Sequence, residues 1–231
     1  MSRLLRGLDR YFPGREYSLL KSCAATRILV RVRRGADTRE ALLDAALEVM
    51  SERGFHGTSV PQLAARAGVG AATMYRHFES KESLVNALYV RAKRQLASQL
   101  WEGFPGDLSP RKALHEVWAR MARVAVRSGP VLVFLELHHH ASYLTPQSVA
   151  ECESLVMGPL EDIVRAGQAQ GLIRAGEPSF LLSFLWGAFL GLLKPAMDRD
   201  GRVDERRLLE GEELAWAALR PSYAVASPRT R

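Results

Sequence analysis

Ser59 to Phe78 reads SVPQLAARAGVGAATMYRHF, and this stretch leaves little freedom in how it folds. Its spacing predicts two short helices joined by a glycine turn. Ser59 stands as N-cap of the first, with Gln62 three residues on, so each side chain can satisfy a backbone N–H that the other leaves free. Val60, Leu63, Ala64 and Ala67 fall at i, i+3, i+4 and i+7, one inward stripe. Gly68 stops that helix, because a left-handed residue after a helix is cheap only for glycine. Gly70 caps the next, which runs from Ala71 to Phe78.

The second helix has two unlike sides. Ala71, Met74 and Phe78 share one face. With that face buried, Ala72, Thr73 and Arg76 project the other way, and Tyr75 and His77 flank the boundary. Small residues first, then Thr, Tyr, Arg and His outward, suit a DNA major groove. The small ones let the backbone approach, and the polar ones reach phosphates and base edges. The same spacing also fits an ordinary helical hairpin with a solvated outer face.

Further residues carry a resemblance. Thr58-Ser59-Val60, Ala67-Gly68-Val69, Thr73 to Phe78 and Ser80-Lys81-Glu82-Ser83-Leu84 follow in the order seen in the DNA-binding domain of TetR-type transcriptional regulators. The likeness runs from about Asp37 to about Leu96. One departure is Gly70, where that family often has a serine that caps the recognition helix and can touch phosphate. The resemblance implies an all-α protein with an N-terminal three-helix DNA reader and a C-terminal helical domain for ligand binding and dimerisation. On this reading residues 36–96 form the reader, 97–220 the second domain, 1–35 a disordered basic extension and 221–231 a tail. Base and phosphate contacts are expected from Ser59, Ala72, Thr73, Tyr75, Arg76, His77 and Lys81.

Charge is unevenly placed along the chain. Up to Asp37 there are nine cations against three anions; from Thr38 to Ser98, eight against six; from Gln99 onward, fifteen against sixteen. The basic excess therefore sits beside the expected reader. Two readings fit it: an arm that adds salt-sensitive phosphate attraction, or an extension with no packing role. Cys23 and Cys152 are the only cysteines and lack metal-type spacing, which fits a reducing cytoplasm. The longest near-apolar stretch, Phe180 to Leu193, is too short to span a bilayer and reads as a buried helix, so no membrane partner is expected.

The rest is helical by pattern. Thr38–Arg53 carries Leu43, Ala46, Leu47 and Met50 on one side and stops at Gly54. Ser80 caps a helix whose stripe is Leu84, Val85, Leu88, Ala92 and Leu96, and Ser98–Ser109 reads as a linker. Ser109-Pro110, Ser128-Gly129-Pro130 and Thr145-Pro146 each open a helix. Two more follow, Ser179 to about Met197 and Asp204 to about Leu219. No βαβ alternation or internal repeat is present.

Signatures of chemistry are absent. GxSxG, GxxxxGKS/T and GxGxxG do not occur, and no cofactor is expected. His138-His139-His140 raises a metal-dependent enzyme as an alternative, but consecutive helical residues diverge by about 100°, and no metal ligand is assigned. A protein-binding helical adaptor is the other alternative. The helix after Ser179 is apolar nearly all round, so it needs cover on two sides. The resemblance makes the last two helices a four-helix bundle between two copies, and Phe184, Gly187, Leu190, Gly191, Leu208, Ala215 and Trp216 are the expected interface. Trp118, Met121, Phe134, His138, Tyr143, Met157, Trp186 and Phe189 are expected to line a pocket for a small apolar inducer. The reading is thus a homodimeric, ligand-responsive repressor that binds a two-fold operator in double-stranded DNA. Deleting residues 1–34 is expected to leave the melting temperature within a few degrees and to lower DNA affinity at low salt. A large drop in thermal stability would instead show that the segment packs on the body.

Overall fold

The computed structural model describes residues 36–198 and 205–221. The expected extension, 1–35, and the tail beyond Pro221 lie outside the described residues. Those described form helices and no strand: α1 (Ala36–Arg53), α2 (Val60–Arg66), α3 (Ala71–His77), α4 (Lys81–Trp101), α5 (Pro110–Arg127), α6 (Gly129–His138), α7 (Pro146–Ala169), α8 (Pro178–Asp198) and α9 (Glu205–Leu219). None is long and apolar enough to cross a membrane.

Local signals set most boundaries. Gly54 ends α1 at φ +67°, its N–H bonded to Met50 O at 2.9 Å, and Phe55 folds back into the core. Thr145 Oγ1 caps α7 by accepting from Ser148 N at 3.2 Å. One boundary differs from expectation. The linker begins at Glu102, because α4 stays helical through Leu100 and Trp101. Leu100 is buried, and Trp101 Nε1 donates to Leu155 O on α7. Arg120 of α5 closes that helix end, donating to Leu100 O and Glu102 O at 2.9 and 2.7 Å. A cation on the final carbonyls is favourable there, and nothing local to α4 announces it.

Helix α1 packs on α4 and carries α2 and α3, whereas α5, α6 and α7 pack on α4 from the second half and α8 and α9 close that half against α7 and α5. So α4 belongs to both halves: Leu84, Val85 and Leu88 are fully buried near its start, and Leu96 and Leu100 face the second half. A second joint flanks it. The Tyr143 ring stacks on Phe55 with centroids 3.9 Å apart, and Lys81 Nζ sits over the Phe55 ring at the same distance. Asn86 of α4 donates to Tyr143 O and accepts from Thr145 N, both at 2.8 Å. Tyr143 Oη lies 2.6 Å from His138 Nδ1, and His138 stacks on Phe134. The reader is therefore fastened to the body through α4, through the α6–α7 loop, and through α1, which packs directly on α6 and donates from Ser51 Oγ to Pro130 O at 3.3 Å.

His138 is buried, and its Nε2 has no hydrogen-bond partner among the described residues. Burial pushes its pKa down to about 4, because a charged ring there would be desolvated. Unfolded, the ring takes its proton near the ordinary 6.5; folded, it does so only near 4. The unfolded chain thus binds more protons between those values, and stability falls as pH drops through that window. The expected loss from pH 7 to pH 4 is roughly 3 kcal/mol from this residue. Denaturant midpoints should record it. His138→Phe keeps the stack, titrates nothing and should remove the His138 share of the slope, leaving that of His139, whose pKa burial also holds down at about 4; an unchanged slope would take His138 out of the acid sensitivity.

Candidate nucleic-acid interface and ligand cavity

The reader is built on a short, well-anchored helix. Gly68, at φ +72°, turns the chain between α2 and α3, and Val69 N donates to Ala64 O at 2.9 Å. Ser59 N donates to Gln62 Oε1 at 2.9 Å, the half of the predicted capping box that the glutamine supplies. Met74 and Phe78 are buried as expected and fix α3 against the reader core. On the opposite side Ala72, Tyr75 and Arg76 are exposed, and Thr73 and His77 are half-buried at the edges. Tyr75 keeps 55% of its surface in solvent, a large share for an aromatic side chain. Ser59 is exposed beside them. Arg76 enters no ion pair among the described residues, whereas Arg39 pairs with Glu40 and lies over the Phe78 ring, and Arg66 pairs with Glu48.

Lys81 has a structural role beside the expected one. Its ammonium donates to Phe55 O and Thr58 O at 3.0 and 2.9 Å, so two of its three N–H groups hold the turn before α2. The N-terminus of α4 is also occupied. Ser80 and Ser83 cap one another, and Glu82 is held below the usual carboxylate range by its own backbone N–H and then by the Ser80 hydroxyl. Lys81 thus positions the reader, and one of its three N–H groups is left over from these two bonds.

The second half encloses a cavity of about 750 Å³ between α4 and α9. Of the predicted lining, Trp118, Met121, Met157, Trp186 and Phe189 face it. Phe134, His138 and Tyr143 do not; they form the joint to the reader, and the cavity is flanked by His139 and His140 instead. His138 turns away from the other two to Tyr143, the rings of His139 and His140 lie 4.2 Å apart, and His139 Nδ1 lies 3.3 Å from Tyr89 Oη. No group of three His, Cys, Asp or Glu among the described residues is placed to hold a metal ion. Sequence reading missed the polar lining, which includes Lys93, Glu136, Glu153 and Glu212. A buried Glu212 on the inward phase of α9 was the one available signal. Arg111 binds it in a two-pronged ion pair.

The expected interface residues separate into two sets. Gly187, Gly191 and Phe184 are exposed on α8, and Leu190 is half-buried. Leu208 is fully buried within the protomer, and Ala215 and Trp216 line the cavity. The reason is helical phase: Leu208, Gly211, Glu212, Ala215 and Leu219 make one stripe, and it faces inward. The outer face offers Leu214, 75% exposed, and α8 adds Phe180, 71% exposed.

Residues 42–88 match the family described as "Bacterial regulatory proteins, tetR family", and residues 89–221 match the "Tetracyclin repressor-like, C-terminal domain". The chain belongs to the TetR family. Among its relatives, the transcriptional regulator RutR of Escherichia coli K12 is 37% identical over 157 residues, 65% of this chain and 71% of RutR. A TetR family regulator from Marinobacter aquaeolei VT8 superposes with a TM-score of 0.71 at 25% identity, over 79% of this chain and 95% of that one. AibR, solved with isovaleryl coenzyme A and operator DNA, superposes with a TM-score of 0.61 at 24% identity, over 80% and all of its chain. This TetR-family protein is therefore a transcriptional regulator with a helix-turn-helix reader, and not an enzyme.

Two substitutions separate the roles of the reader's cations. In this TetR-family reader Arg76→Ala should weaken operator binding by about 1–3 kcal/mol and relax base preference. Lys81→Met should lower the melting temperature and weaken all sequences alike. Binding of a sequence panel, with thermal unfolding alongside, checks both. Equal binding by Arg76→Ala and wild type across the panel would remove Arg76 from the interface.

Proposed function

We propose that the chain is a homodimeric repressor, released from a two-fold operator when a small, largely apolar molecule fills the cavity. The observation that carries this reading is that the cavity wall and the reader's fastenings share the same elements, α4, α6 and the loop after it. Lys93, Leu96 and Leu100 of α4 line the cavity, while Leu84, Val85 and Leu88 of the same helix are buried nearer the reader. His139 and His140 line it too, and Tyr143, three residues on, stacks on Phe55. A ligand that displaces the wall moves these fastenings together. It must also bind one dimer arrangement better than the other, since equal affinity shifts no population.

DNA contact is assigned to Ser59, Ala72, Thr73, Tyr75, Arg76 and His77. The second copy is assigned to the outer stripe of α8, Phe180, Phe184, Gly187 and Gly191, together with Leu214. An added Cβ at Gly187 or Gly191 meets nothing within the protomer, so these positions leave room for a neighbouring helix. Two readers on one dimer meet successive major grooves when their spacing is about 34–36 Å. AibR is a fold relative whose structure holds both a ligand and operator DNA, which supports this division of labour.

Selection of bound DNA from a random pool tests the dimer reading: a two-fold repeat is expected, and a site without symmetry would overturn it. Hydrophobic compounds that quench tryptophan fluorescence should also release the selected DNA. Trp186→Ala should change that response while leaving operator binding of the unliganded protein intact. Equal release from both proteins would move the ligand out of this cavity.

A further inference from the structure

The charge on the cavity wall narrows the ligand class, on the reading that this cavity holds the inducer. Four carboxylates line it, Glu136, Glu153, Glu161 and Glu212, against one lysine, Lys93. Two are neutralised from within. Glu212 is held by both Arg111 Nη atoms, with His115 Nδ1 at 3.2 Å, and Glu161 pairs with Arg165. Glu136 and Glu153 enter no ion pair among the described residues. His139 adds no positive charge at neutral pH, since burial, then Lys93 and His140, hold its pKa down at about 4.

Beside these carboxylates stands an aromatic wall. Trp186 stacks on Phe189 with centroids 5.9 Å apart, and Phe189 meets Trp118 edge-on at 5.3 Å. Trp186 Nε1 donates to Glu136 Oε2 at 3.1 Å, which fixes the indole next to an anionic group. A carboxylate accepting from the N–H polarises that bond and pushes electron density into the ring, and an indole face is the best aromatic surface for a cation. Apolar volume, indole and a carboxylate without an ion pair thus meet at Trp186 and Glu136, with Glu153 elsewhere on the lining.

We propose that the cavity selects a lipophilic organic cation: a quaternary or protonated onium group on an aromatic or branched apolar body. An acyl-coenzyme A would bring several phosphate charges to a wall with a single lysine and unbalanced carboxylates, and this cavity disfavours it.

Three probes of similar shape separate charge from shape: tetraphenylphosphonium, the anion tetraphenylborate and neutral triphenylphosphine oxide. Each is titrated into the full chain, followed by tryptophan quenching and calorimetry. Tetraphenylphosphonium is expected to bind at least about tenfold more tightly than the other two, and more weakly as salt rises. Glu136→Gln keeps an acceptor for Trp186 Nε1, and with Glu153→Gln it should cost the cation about tenfold while leaving the neutral probe unchanged. Both positions are exposed, so the fold is expected to survive, and the wild-type probe series decides the question without them. Equal or weaker binding of the cation overturns the charge inference and leaves the cavity reading standing. No binding by any probe overturns both.

Discussion

Phe55 sits between a cation and a phenol, and that sandwich helps to place the reader beside the packing of α1 on α4 and α6. Lys81 covers one side and Tyr143 stacks on it from the body of the protein. The ring belongs to the turn that ends α1 and leads into α2. Lys81 also grips the carbonyls of that turn, so the same ammonium satisfies backbone acceptors and packs on the ring. An aromatic between two flat or charged faces resists sliding more than an aliphatic contact of equal area, because the geometry of each contact is directional. Asn86 then ties the Tyr143 backbone to α4, and few alternative positions for the reader remain.

Most of the fold was legible because helices announce themselves locally. Caps at Ser80 and Thr145, N1 prolines at Pro110 and Pro146, and stop glycines at Gly54 and Gly68 act within a few residues of their effects. The reader's face was legible for the same reason: seven helical residues with Met74 buried can turn only one way. What was not legible required knowing what lies across from a side chain. Lys81 looked like a phosphate ligand because its spacing suits one, and only the distant Phe55 and Thr58 carbonyls show that two of its N–H groups are taken. Phe134, His138 and Tyr143 carried the composition of a pocket and built a joint instead.

The last two helices show the limit of periodicity more sharply. An apolar stripe identifies a face that leaves water, but not whether the cover comes from the same copy or another. Helix α8 has such faces on more than one side, so Phe184 and Phe189 read alike in sequence although one is 55% exposed and the other 3%. On α9 the stripe through Leu208 and Ala215 is the inward one, and the exposed Leu214 is the residue that periodicity hid among glutamates.

A cavity of this size also constrains its own wall. At roughly 24 cal/mol per Å³, a sealed dry void of about 750 Å³ would cost on the order of 18 kcal/mol, more than the roughly 5–15 kcal/mol by which a domain is usually stable. The space is therefore compatible with folding only if solvent reaches it, and polar groups must stand where it does. Exposed Glu136, Glu153 and His140 are at that border, while Trp118 and Phe189 are buried deeper. The carboxylates that narrow the ligand class are thus also what makes the open space tolerable to the fold. A purely apolar wall would favour collapse of the surrounding helices onto one another, and with it the loss of the proposed path from α4 and the His139–Tyr143 loop to the reader.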